Sequence, residues 1–116
     1  MQDQEQLKQR LTEIGGRFLR RTVSEMQRLR ELATAVSEAD AAGVTEIAQT
    51  AHRIHGGGGM FGFHSISEAA HQLEVAAREW MDPDSHERSD LAQRMEKLLA
   101  DLEQAVQRTA QQQNVL

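Results

Sequence analysis

A chain of 116 residues with no cysteine has length for one domain and one core, and offers neither a disulfide framework nor a thiolate metal site. Its net charge of −5 and 3% aromatic content give neither the basic field nor the stacking platform of a nucleic-acid binder, so no nucleic-acid partner is expected. No apolar run approaches the ~20 residues that span a bilayer, and Met1-Gln2-Asp3-Gln4-Glu5-Gln6 lacks the regions of a secretory signal, so no membrane partner and a cytoplasmic location are expected.

One proline and long stretches of 3.6-residue periodicity predict an all-α fold. Leu7, Leu11, Ile14 and Phe18 share a helical stripe that continues through Thr22, Met26, Leu29, Ala33 and Val36. The phase survives Gly15-Gly16, so residues 3–39 read either as one long kinked helix or as a short helix followed by a longer one. Arg17, Arg20, Arg21, Arg28 and Arg30 lie mostly off the stripe and read as a solvated face. Asp40-Ala41-Ala42-Gly43 reads as a short connection, and a second helix is expected from about Val44 to Met60, with a turn at Gly62. Ser65 and Glu68 have capping-box spacing. Ile66, Ala69, Ala70, Leu73, Ala76, Ala77 and Trp80 mark the next helix, whose small residues suit close packing, and Pro83 ends it. Leu91, Met95, Leu98, Leu102, Ala105 or Val106, and Thr109 mark the last, before a polar tail from about residue 111. Short loops between amphipathic helices imply an antiparallel up-down-up-down four-helix bundle.

The second helix has two unlike faces. Ile47, Ala51, Ile54, Gly58 and Phe61 form its apolar stripe, and His52 lies roughly 140° round from the stripe's centre at 100° per residue. Gln49, Gly56 and Gly59 are its neighbours on that outward side. Four consecutive glycines in a helix cost about 3–4 kcal/mol of propensity. A glycine run can simply end a helix, but here the apolar phase continues to Phe61, which suggests that something approaches the backbone closely. No Gly-Lys-Ser/Thr follows, as a phosphate loop requires, and no strand precedes, as a dinucleotide fingerprint requires.

The pattern Ala51-His52-x-Ile54-x-Gly56-x-Gly58-x-x-Phe61-Gly62-Phe63, followed by Ile66, Ala69-Ala70 and Leu73-Glu74, resembles a histidine-containing phosphotransfer (HPt) domain. The motif covers residues 44–77, and the flanking helices fit the rest of such a bundle as a single domain over residues 1–116. The resemblance implies a short N-terminal helix capping one end of the bundle. It also implies a phosphoryl carrier of two-component phosphorelays, not an enzyme, with His52 as the phosphorylated residue. Glu74, twenty-two residues after His52, matches the group that accepts the histidine ring N–H; the alternative for Glu74 is an ordinary surface carboxylate. His55 stands where the family often has lysine, and Gly57 where a small hydroxyl residue is frequent. The implied partners are response-regulator receiver domains, a hybrid histidine kinase, or both, met by a monomer with no cofactor of its own. Mg²⁺ is expected on the receiver. Gln49, Arg53, Gly56 and Gly59 are the expected partner-facing residues.

The chemistry suits that role. A neutral imidazole is a nucleophile toward an acyl phosphate, provided that one ring nitrogen keeps its proton while the other attacks. A histidine at position 55 supplies donors but only part of a positive charge near neutral pH, so any help it gives grows as pH falls. His64, His71 and His86 read as surface residues. Two other readings compete. One is a metal- or haem-binding bundle using His52, His55, His64 and His71, although bundle ligands usually point inward. The other is an interaction module that keeps the bundle without the relay.

Overall fold

The computed structural model describes residues 2–36 and 41–115 and is all-helical over them. Four helices follow one another: α1 (Gln2–Ala35), α2 (Ala41–Met60), α3 (His64–Met81) and α4 (Arg88–Gln112). Each packs on two others, α1 on α2 and α4, and α3 on α2 and α4, so the helices stand in cyclic order as in an up-down-up-down bundle. Leu19, Leu29, Ile47, Ile54, Ile66, Leu73, Met95 and Leu102 fill the core with almost no solvent contact. The predicted stripes of α2 and α3 are the buried faces. α2 begins at Ala41, so Ala41-Ala42-Gly43 are helical and not a connection; Asp40 and the predicted end of the first helix lie outside the described residues.

The N-terminal residues form no separate capping helix. α1 is one helix of 34 residues, about 51 Å long at 1.5 Å per residue against about 30 Å for α2. It therefore overhangs the bundle, and the molecule is 57 Å long and 24 Å across. Leu7, Leu11 and Ile14, on one stripe with Phe18, are 60%, 49% and 41% exposed at the end of the bundle, where Leu11 lines a surface pocket with Met60, Phe61, Phe63 and Gln113. The helix passes through Gly15-Gly16 unbroken, and Gly15 faces the rings of Phe61 and Phe63, which an added methyl group would meet at 3.6 Å. Further along, ion pairs tie α1 to its neighbours: Arg28 grips Glu46 of α2 through two nitrogens at 2.9 and 3.0 Å, Arg53 of α2 binds Glu25, and Arg30 binds Glu103 of α4.

Glycine decides how α2 ends. Gly62 adopts φ +78°, while Phe63 N–H bonds the Gly58 carbonyl at 2.7 Å and Gly62 N–H the Gly59 carbonyl at 3.3 Å. These are the two reversed bonds of a Schellman cap. Phe63 then stacks on Phe18, meets Phe61 at a tilt of 41°, and occupies the N-cap of α3. The predicted capping box is not made. Ser65 sits inside the first turn of α3, and no side chain caps that helix. At the far end α4 stays helical through Gln112, past the predicted start of the tail, and Asn114 at φ 59° closes it with a Val115 N–H to Ala110 carbonyl bond of 2.9 Å.

Candidate functional site

The four glycines of α2 divide by the face they occupy. Gly57 and Gly58 look inward: a Cβ on Gly57 would overlap the Phe18 ring, 2.8 Å from its Cδ2, and one on Gly58 would press on the α3 backbone, 3.0 Å from Ser67 N. Their missing side chains let α1 and α3 close on α2. Gly56 and Gly59 look outward. A Cβ on Gly56 would meet nothing within 4 Å, and one on Gly59 only Ser67 Oγ at 3.6 Å. The close approach to the backbone that the run implies comes from within the bundle at Gly57 and Gly58, and leaves Gly56 and Gly59 open.

His52 stands one turn before Gly56 on the outward face, its side chain 68% exposed. Its Nδ1 lies 3.0 and 3.2 Å from the two carboxylate oxygens of Glu74 across the α2–α3 seam. Glu74 itself is 7% exposed, which is unusual for a carboxylate and follows from its place beside the α3 stripe. Burial is the largest single influence on its titration and pushes the carboxyl upward. The hydrogen bonds from Arg78 and His52, with the attraction of both, outweigh it and hold Glu74 below the usual carboxylate range. Arg78 binds the same oxygen through Nε and Nη2, both at 2.8 Å.

An ionised carboxylate only accepts, so the proton of the neutral His52 ring resides on Nδ1. The other nitrogen, Nε2, keeps its lone pair on the solvent side. The arrangement is an exposed imidazole on a helix: a carboxylate fixes its tautomer, and an arginine holds the carboxylate. It opens onto a surface thinned by Gly56 and Gly59.

The remaining predicted residues fall on several sides. Gln49 is exposed, one turn before His52 on α2. Arg53 is 36% exposed and its head group is engaged by Glu25 of α1, on the flank opposite Glu74. His55 is half-buried in the α2–α3 seam, its Nδ1 2.9 Å from the Ser67 carbonyl. Arg78 and Ser67 escaped the sequence reading. Arg78 was legible as the i, i+4 partner of Glu74 on one helix, whereas nothing in the pattern marked Ser67. His64, His71 and His86 are exposed as expected, although His71 packs its ring beside His55. Among the described residues no three histidine, aspartate or glutamate side chains are grouped to hold a metal ion. Nor is any helix among them long and apolar enough to cross a membrane.

The family model of the Hpt domain matches residues 5–112. The chain belongs to the Hpt family. Hpt domains are helical bundles that carry phosphoryl groups in two-component systems, where they meet receiver domains and kinases, and have no catalytic machinery of their own. No curated protein and no solved structure matches this Hpt chain significantly. The family match gives the class of activity.

Proposed function

We propose that this Hpt domain is a phosphoryl relay carrier that accepts its phosphoryl group on Nε2 of His52. The observation that carries the assignment is the His52–Glu74 pair: an exposed imidazole whose Nδ1 is bound by a buried carboxylate. In the step, Nε2 attacks phosphorus, an N–P bond forms, the P–O bond of a receiver's aspartyl phosphate breaks, and the aspartate leaves as carboxylate. The ring keeps its Nδ1 proton and becomes cationic, and Glu74 balances that charge without taking the proton. The reverse step hands the group to a second receiver, or a histidine kinase supplies it.

The chain contributes a positioned nucleophile and an unobstructed approach. Charge neutralisation on the moving group, by Mg²⁺ and a basic side chain, falls to the receiver. Gln49, Gly56 and Gly59 border His52 and would meet the receiver's backbone; Arg53, held by Glu25, stands at the edge of that surface. The domain acts as a monomer in this scheme. To test it, phosphorylated receiver domains are mixed with the purified chain. The expected outcome is rapid transfer from at least one receiver to give an acid-labile, alkali-stable label. Label that appears on this chain only as an acid-stable ester would refute the proposal.

A further inference from the structure

The relay step makes a demand that a buried carboxylate does not meet unaided. Once His52 carries a phosphoryl group on Nε2, its ring is a cation. The Nδ1 proton then has two places to rest, the ring nitrogen or a Glu74 oxygen 3.0 Å away. The choice decides reactivity. With the proton on Nδ1, the N–P bond breaks to release a neutral imidazole. With the proton on Glu74, the same bond has to release an imidazolate anion, a far poorer leaving group.

Burial favours the second place. Glu74 is 7% exposed, and taking a carboxylate out of water favours its neutral form. In the free domain this bias is harmless, because a neutral imidazole does not surrender its remaining proton. In the loaded domain the cationic ring is an acid, and the carboxylate is a base within hydrogen-bond reach. A neutral pair, carboxylic acid against phosphoimidazole, avoids keeping two charges apart in a low dielectric.

Arg78 opposes that bias. It lies one turn after Glu74 on α3 and reaches back with Nε and Nη2, each 2.8 Å from Oε2. Oε2 is also the oxygen nearer to His52 Nδ1, at 3.0 Å against 3.2 Å for Oε1. One oxygen therefore accepts from three N–H groups, two of them on a cation. These bonds and the attraction of the guanidinium help to hold the Glu74 carboxyl below the usual carboxylate range despite its burial. Protonating either oxygen would leave the guanidinium facing a neutral acid.

We infer that Arg78 is a positioning residue for the donation half of the relay: bound to Glu74 Oε2, it keeps the shared proton on Nδ1 of phosphorylated His52 and so keeps the phosphoryl group transferable. In donation the N–P bond breaks, its electron pair returns to Nε2, and phosphorus bonds the acceptor oxygen. The proton stays on Nδ1 throughout, and Arg78 gives up none of its own. Without the guanidinium the loaded domain becomes a store that fills but empties slowly. Acceptance needs no such help, because the neutral ring keeps its proton. The inference rests on His52 being the phosphorylated residue.

The test loads the full chain with phosphoramidate, a small phosphoryl donor, removes the donor, and follows loss of the label to water at neutral pH. Absence of label on His52 in the wild-type protein ends the relay assignment and this inference together. Arg78 is exposed, so Arg78→Met, which keeps its reach without its charge, is expected to fold. It should load within about twofold of the wild-type rate. It should discharge about tenfold more slowly, as when the proton spends about nine-tenths of its time on Glu74. Arg78→Lys, which restores a cation, should discharge near the wild-type rate. In a Glu74→Gln background, where the amide cannot take the proton, adding Arg78→Met should change discharge by less than about twofold. Nitrogen-15 NMR of the loaded proteins should find Nδ1 of His52 as N–H in the wild type and largely as a lone pair in Arg78→Met. A labelled Arg78→Met protein whose Nδ1 remains N–H, or which discharges as fast as the wild type, overturns the inference and leaves the relay assignment standing. Equal slowing of loading and discharge, the mark of a residue that only supports the structure, overturns it as well.

Discussion

Alanine placed in turn at Gly56, Gly57, Gly58 and Gly59 should move stability in opposite directions within one turn of helix. Each substitution gains up to about 1 kcal/mol from helix propensity. At Gly56 the new methyl meets nothing within 4 Å, and at Gly59 it meets Ser67 Oγ at an ordinary 3.6 Å, so both variants should keep that gain. At Gly57 the methyl overlaps the Phe18 ring, which cannot swing freely because it packs against Phe61 and Phe63 at centroid distances of 5.6 and 6.2 Å. At Gly58 the obstacle is the α3 backbone itself, 3.0 Å away at Ser67 N, so the helices must part. Overpacking of this kind costs about 1–3 kcal/mol, which leaves Gly57→Ala and Gly58→Ala net destabilised by up to about 2 kcal/mol. Urea denaturation of the four proteins measures the pattern, and thermal midpoints should follow it by about 4 °C per kcal/mol. Stabilisation at all four positions would refute the division into two inward and two outward glycines. Function should split the other way: Gly56→Gln should fold normally yet accept phosphate from a receiver at least about tenfold more slowly, since its side chain stands where the partner's backbone must approach.

Glu74→Ala should slow phosphoryl transfer by about tenfold, equivalent to roughly 1.4 kcal/mol in the barrier, and Glu74→Gln less, because the amide oxygen still accepts from His52 Nδ1; equal wild-type rates in both would reduce Glu74 to a structural residue. The stability cost of Glu74→Ala should be only about 1 kcal/mol, because His52 and Arg78, at 68% and 56% exposed, recover water when the carboxylate goes. Glu74 is held below the usual carboxylate range in the folded protein, so its contribution is complete above the unfolded value of about 4.5 and is lost as pH falls through the folded value. The stability difference between wild-type and Glu74→Gln proteins should accordingly shrink over that acidic window, and a difference that persists unchanged would contradict the hydrogen-bonded carboxylate.

What the sequence made legible follows from which physics is local. The stripe Ile47, Ala51, Ile54, Gly58 is a matter of helical period alone, and these residues are buried in α2. The same period puts Leu7, Leu11 and Ile14 on one stripe with Phe18, yet they stay exposed, because period alone cannot say whether a neighbour covers a stripe at the end of the bundle. The capping box failed for a related reason: Phe63, held by Phe18 and Phe61, sets where α3 starts before Ser65 can act. The separate duties of Gly56 and Gly57 were invisible, since a glycine's role depends on what stands opposite it. Glu74 was reachable through family resemblance, whereas its burial and its bond to Arg78 belong to the packed seam. His71 looked like any exposed histidine until the helices brought it beside His55.

The most direct measurement is the chemical identity of the phosphorylated atom. Protein loaded by a phosphorylated receiver, observed by phosphorus-31 and nitrogen-15 NMR, should show one phosphohistidine, bonded through Nε2 of His52, with Nδ1 still protonated toward Glu74. His52→Gln, an exposed substitution expected to change stability by no more than about 0.5 kcal/mol, should show none. Phosphate on Nδ1 of His52, or label that persists in the His52→Gln protein, would contradict the account.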